Sequence, residues 1–173
     1  VASTGNERYY ADGEAVELAP SDLVCIDTRV GTGIAGVAPE VRRIASAGEE
    51  VRSGLVLVRS AELTDDVASA LDAGGALHPV FVDPTGGLAV VLPEVRVEAT
   101  TARQQQVVEE EARSADLPAE VEHKGDSQLV LRPSSGRGAD ALALANRIYE
   151  AAHPAMSQPR LLRVVEPPRP APS

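Results

Sequence analysis

The sequence predicts an α/β fold of the α+β kind, an antiparallel sheet with helices on one face. Three observations carry this. Residues 94–167 read strand, helix, strand, strand, helix, strand. Residues 139–152 (ADALALANRIYEAA) set Ala141, Ala145, Ile148 and Ala152 at i, i+4, i+7 and i+11, and Leu144 and Tyr149 widen that stripe. Residues 94–99 alternate, with Val95 and Val97 on one side and Glu94, Arg96 and Glu98 on the other. A βαββαβ order packs both helices on one side of the sheet and leaves the other face to solvent or a partner, so function is expected on that face.

The 173 residues suit one domain or two small ones that fold without disulfides. Tyr9, Tyr10, Phe81 and Tyr149 are the only aromatic residues, so the core has to come from Val, Leu, Ile and Ala. A net charge of -10 argues against nucleic acid or an anionic membrane surface as partner. Cys25 is the only cysteine, which excludes an internal disulfide and a cysteine-rich metal site. No apolar run reaches the ~18 residues of a membrane span, and residues 1–7 lack the basic and apolar regions of a signal peptide. With Val1 in place of an initiator methionine, the sequence is expected to be a processed or partial chain, and its compartment stays open.

In order, residues 8–19 read as a hairpin about Asp12-Gly13, and 23–30 as a strand. Pro39 opens a short helix whose face is Val41, Ile44 and Ala45, and Gly48 marks its end. Residues 55–58 (LVLV) suit a central strand. Thr64 with Asp65 and Asp66 starts a helix whose face is Val67, Ala70 and Leu71 and which Gly74-Gly75 ends. Strands 79–82 and 88–92 flank the turn residues 83–87. Thr101 and Gln104 have capping-box spacing ahead of a helix with Val108, Ala112 and Ala115 on one face, closed by Pro118. Residues 119–123 and 128–132 form a second hairpin, and Pro159 precedes a last strand over 160–165. The tail 166–173 (EPPRPAPS) cannot join a sheet interior. The expected division is a 1–92 α/β unit with a leading hairpin, a 93–167 ferredoxin-like βαββαβ unit and a 168–173 linker.

Several short motifs follow one another in fixed order over most of the chain. They are Tyr9-Tyr10-Ala11-Asp12-Gly13 with Val16-Glu17-Leu18-Ala19-Pro20, then His78-Pro79-Val80-Phe81-Val82 and Glu94-Val95-Arg96-Val97. The helix at 141–150 (ALALANRIYE) and a strand running into Glu166-Pro167 complete the series. In that order they resemble the N-terminal prodomains of bacterial subtilisin-like serine proteases, the fervidolysin-like type in particular. The resemblance implies a ferredoxin-like unit that helps its protease fold and then covers it, sheet against the protease and C-terminal tail along the substrate cleft. It also implies a subtilisin-like protease domain as partner, in cis or in trans, and secretion. Contact with that partner is assigned to Arg163, Val164, Val165, Glu166 and Pro167. The chain departs from the pattern in carrying two units' worth of elements. The same layout would serve an interaction or regulatory module of a larger protein with no inhibitory role.

No catalytic, cofactor or metal residues are expected. Val24-Cys25-Ile26-Asp27-Thr28 and the glycine-rich 31–39 stretch echo segments around a subtilase's aspartate and histidine, but no histidine or serine stands in a triad context. His78, His123 and His153 are too scattered for a metal site, and Cys25 reads as a buried structural thiol. The loop 134–138 (SSGRG) reads as a helix-start loop, and Glu109-Glu110-Glu111 as a solvated helix face.

Overall fold

The computed structural model describes residues 7–164. Strands β1 (Glu7–Ala11) and β2 (Glu14–Asp27) form the expected hairpin, with Asp12 and Gly13 both at positive φ (52 and 80) as a type I′ turn requires. The predicted 23–30 strand ends early. Asp27 caps a short helix α1 (Thr28–Gly31), its carboxylate accepting the Arg29 N–H at 3.0 Å. Helix α2 (Ala38–Ser46) has Pro39 in its first turn and buries Val41 and Ile44. Strand β3 (Glu49–Arg52) was not expected, because its EEVR sequence lies on a polar edge and carries little apolar signal. Next come β4 (Leu55–Arg59) and α3 (Asp65–Ala73), where Thr64 Oγ1 accepts the Val67 N–H.

Strands β5 (Leu77–Val82) and β6 (Leu88–Glu98) follow. Two predicted strands, 88–92 and 94–99, are thus one, running through Pro93. Thr101 and Gln104 form the capping box of α4 (Ala102–Ala112). The helix stops before Ala115, and Leu117 fills the core position instead. Strands β7 (Ala119–His123) and β8 (Gln128–Pro133) precede α5 (Gly138–Ala152) and β9 (Met156–Val164). β9 begins ahead of Pro159 and holds it inside. Among the described residues β9 pairs with β6 alone, so it is an edge strand, where a residue without an N–H is tolerated.

Among the described residues the strands form one antiparallel sheet, in the order β3-β4-β2-β5-β6-β8-β7, with β1 on β2 and β9 on β6. The two halves repeat. In the first the order is β3-β4-β2-β5 and in the second β7-β8-β6-β9. Val24 of β2 lies opposite Val58 of β4 and Pro79 of β5, as Val95 of β6 lies opposite Leu131 of β8 and Pro159 of β9. Both long strands slip register at the matching place, between Pro20 and Val24 and between Val91 and Val95. Such bulges bend a strand and increase its twist.

The helices cover one face, as expected. In the first half Val41, Ile44, Val67 and Leu71 of α2 and α3 meet Ile26, Val56 and Val58. In the second, Val108, Ala112, Ala141, Leu144, Ala145 and Ile148 of α4 and α5 meet Val95, Val97, Leu129 and Leu131. Each fully buried Leu or Ile there contributes about 1.5–3 kcal/mol. The halves do not stand apart as separate βαββαβ units, because β5 turns directly into β6 and the sheet runs on. The sheet also curls. Its helix-free face in the first half is closed by a core of Cys25, Leu55, Leu57 and Val80 with Val90, Leu92, Leu162 and Val164 of β6 and β9. A fourth cluster, Tyr9, Leu18, Val91 and Leu142 with Phe81 and Leu161 packed on it, ties the leading hairpin to both halves. Tyr10 stacks on Tyr149 of α5 at 4.3 Å, and Asn146 Nδ2 donates to the Arg8 carbonyl at 2.7 Å.

Helix α5 enters against the bulged part of β6, where a Cβ on Gly138 would collide with the Val91 carbonyl oxygen. Gly138→Ala should therefore lower stability by about 1–3 kcal/mol in urea titration. Gly125→Ala, in open space, should change it far less.

Candidate partner-binding surface

In the second half the side chains of β6, β8 and β9 that alternate away from α4 and α5 include Arg96, Val130, Arg132, Gln158 and Arg160. The shared register gives each a counterpart. Arg96 matches Cys25, Val130 matches Leu57, and Arg160, between Pro159 and Leu161, matches Val80, between Pro79 and Phe81. Pairing positions are the same, yet one face is apolar and covered while the other bears arginines and is uncovered.

The uncovered face is electrostatically uneven. Glu94, only 18% exposed, reaches Arg96 Nε at 3.7 Å with one carboxylate oxygen and Arg160 Nη1 at 3.5 Å with the other. Glu122 accepts from Arg132 at 2.8 Å and from Lys124 at 2.9 Å, and hydrogen bonds from these two hold its carboxyl below the usual carboxylate range. Arg52 reaches in from β3 and, among the described residues, makes no ion pair. Between β9, β6 and the leading hairpin lies an open groove of about 630 Å³, with Leu92 and Met156 among its apolar lining and Arg52, Arg96, Arg160 and Asp12 among its polar lining. That volume is within the range of about 300–1,000 Å³ found for ligand clefts.

Of the residues assigned to partner contact, two are described. Arg163 and Val164 are still within the sheet, opposite Ala89 and Leu88. Arg163 donates to Asp83 at 2.7 Å and to the Tyr9 hydroxyl at 2.9 Å, which fixes the end of β9 to the β5–β6 turn and the leading hairpin. Asp83 also accepts from the Thr85 hydroxyl and from the Thr85 and Gly87 N–H groups, and these bonds, the hydroxyl's first, hold its carboxyl below its usual range. Val164 turns into the core of the closed first-half face. Val165, Glu166 and Pro167 lie outside the described residues. The groove arginines went unnoticed in the sequence because they sit on three separated strands. The alternation of 94–99, which set Arg96 opposite the helix side, was the one signal that pointed there.

The remaining candidates have structural roles. Asp27 caps α1 and pairs with Arg29 at 3.4 Å. His123 lies on the surface beside Glu109 at 3.4 Å, and His153 ends α5 in the left-handed conformation. In the 134–138 loop, Ser135 donates to Asp140 at 2.7 Å, so a carboxylate already occupies that helix start. Cys25 and His78 are cross-strand neighbours, both buried. Burial, with the Asp27 charge adding, pushes the Cys25 thiol up to about 12 and burial lowers the His78 imidazole, so neither carries charge at neutral pH. A thiolate–imidazolium pair does not form. His78 Nδ1 accepts the Gly138 N–H at 3.2 Å, a bond that requires the unprotonated nitrogen. Among the described residues no group of His, Cys, Asp and Glu side chains is placed to hold a metal ion, and no helix is long and apolar enough to cross a membrane.

Two outcomes follow. Cys25 should resist thiol reagents in the native protein and react at an ordinary rate once the chain is unfolded in urea, as followed by absorbance of the released chromophore. For His78 the folded form binds its proton more weakly than the unfolded form. Its contribution is therefore complete above the unfolded value of about 6.5 and is lost as pH falls from there toward the lower folded value. Urea midpoints measured from pH 7.5 down to pH 5 should fall, and His78→Asn, which keeps an acceptor at the δ position, should flatten that fall.

No family model, curated protein or solved structure matches this chain.

Proposed function

We propose that the chain is a non-catalytic module of the prodomain kind, its two halves sharing one curled antiparallel sheet with helices on one face. It binds a subtilisin-like serine protease domain, in cis or in trans, and assists its folding, inhibits it, or both. The observation that carries this reading is the uncovered sheet face of the second unit, beside an edge strand that leads toward the C-terminal residues. The motifs behind the resemblance also have consistent places in the fold. Tyr9, Leu18 and Leu142 share one cluster, with Phe81 packed against it. In this reading Arg163 holds the end of β9 and contact with the substrate cleft falls to residues after Val164. Extended segments suit such clefts because their main chain can pair with an edge strand while alternate side chains enter pockets.

The test is titration of the purified chain against the subtilisin-like domain encoded in the same precursor or beside it, with peptide hydrolysis and refolding yield as readouts. Inhibition with a constant below about 1 μM, or a clear gain in refolding yield, is the expected result. Deleting residues 164–173 should weaken the inhibition. Absence of both effects would overturn the proposal, as would binding without either, which instead fits a plain interaction module.

A further inference from the structure

We infer that the arginine-lined groove of the second half is a docking site for an acidic polypeptide segment, one that presents clustered Asp or Glu side chains. The first support is the mismatch between charge and carboxylates. Arg52, Arg96 and Arg160 line the groove together with one acidic residue, Asp12; Arg96 and Arg160 share the carboxylate of Glu94, Arg163 is paired with Asp83, and Arg52 has no ion-pair partner among the described residues, so the arginines outnumber the carboxylates. This positive surplus sits on a chain whose net charge is -10, so the rest of the surface is more acidic still.

The second support comes from the repeat. Folding does not call for arginine at these positions, since the register-matched residues Cys25 and Val80 serve the same sheet geometry as an apolar face. In the first half that face is covered by Val90, Leu92, Leu162 and Val164, and in the second half the corresponding position is uncovered. What covers it has to match guanidinium groups rather than leucines, and arginine's planar fork is the side chain best shaped to hold carboxylates. Glu94 already shows the mode, with one oxygen toward each of two arginines.

The edge of β9 is a poor place for simple strand addition, because Pro159 offers no N–H and edge prolines discourage such pairing. The segment therefore lies across the face and is held by side chains. A polypeptide is favoured over nucleic acid because the protein's overall charge repels a uniformly charged polyanion, whereas a short acidic segment engages only the local surplus. The groove is shared with the protease-binding reading and the inference survives if that reading fails, since peptide binding is measured with no protease present.

The experiment uses the full chain and a fluorescein-labelled twelve-residue glutamate-rich peptide, with its glutamine counterpart and a single-stranded oligonucleotide of equal charge as comparators. Fluorescence anisotropy at low ionic strength should show saturable binding of the acidic peptide, weakening as salt is raised. The glutamine peptide should not bind. Combined Arg52→Ala, Arg96→Ala and Arg160→Ala changes should reduce affinity at least about tenfold, with the far-UV spectrum and melting temperature retained. Glu94→Gln should raise affinity about threefold, because it removes the internal competitor for two arginines. Lack of binding, unchanged affinity in the triple variant, or tighter binding of the oligonucleotide than of the peptide would each overturn the inference.

Discussion

The structure depends on how β6 is shared. One edge of this strand pairs first with β5, at Val90 opposite Val80, and then with β8, at Val95 opposite Leu131, while β9 runs along the whole of the other edge. Between these two stretches the strand bends. The register against β9 slips between Val91 and Val95, and Pro93, with no N–H to donate, sits in that interval. The bend brings Val90, Leu92, Leu162 and Val164 over the first-half face. It also leaves the space that the start of α5 fills, where Gly138 presses on the Val91 carbonyl and donates its N–H to His78.

This curl makes two halves with the same pairing register chemically unequal. The helix-facing residues are alike in both, Ile26 and Val56 answering to Val97 and Leu129, because each must bury a helix pair. The opposite faces are under different demands. Cys25 and Val80 are under β6 and β9 and have to be apolar, whereas Arg96 and Arg160 meet solvent and are free to serve recognition. Function is therefore expected where the repeat breaks its own pattern. Arg163 closes the arrangement from the far end, joining β9 to Asp83 and Tyr9.

Much of the helix side was legible in the sequence, since it follows from local chemistry. The Thr101–Gln104 capping box, the Thr64 cap and the Ala141, Ala145, Ile148 stripe each depend on residues within a few positions of one another. What could not be read was long-range. Nothing local in EEVR announces that β3 will pair with β4, and nothing in Pro20 or Pro93 says that the chain will pass through a bulge rather than stop. The closed face of the first half is illegible for the same reason: the cluster around Cys25 meets Leu162 and Val164 only through the curl. The groove depends on that curl too, because Arg52 and Arg160 are brought together from different halves.

Both halves join in one sheet through β6, which makes them one cooperative unit and leaves only the second face free. That cooperativity is tested most directly by equilibrium unfolding in urea with two probes, far-UV circular dichroism for the whole sheet and trapping of the Cys25 thiol for the first-half core. A single transition is expected, in which thiol exposure and loss of ellipticity coincide at every urea concentration. Cys25 becoming reactive at a lower urea concentration, while much of the ellipticity remains, would contradict it and show that the halves fold apart.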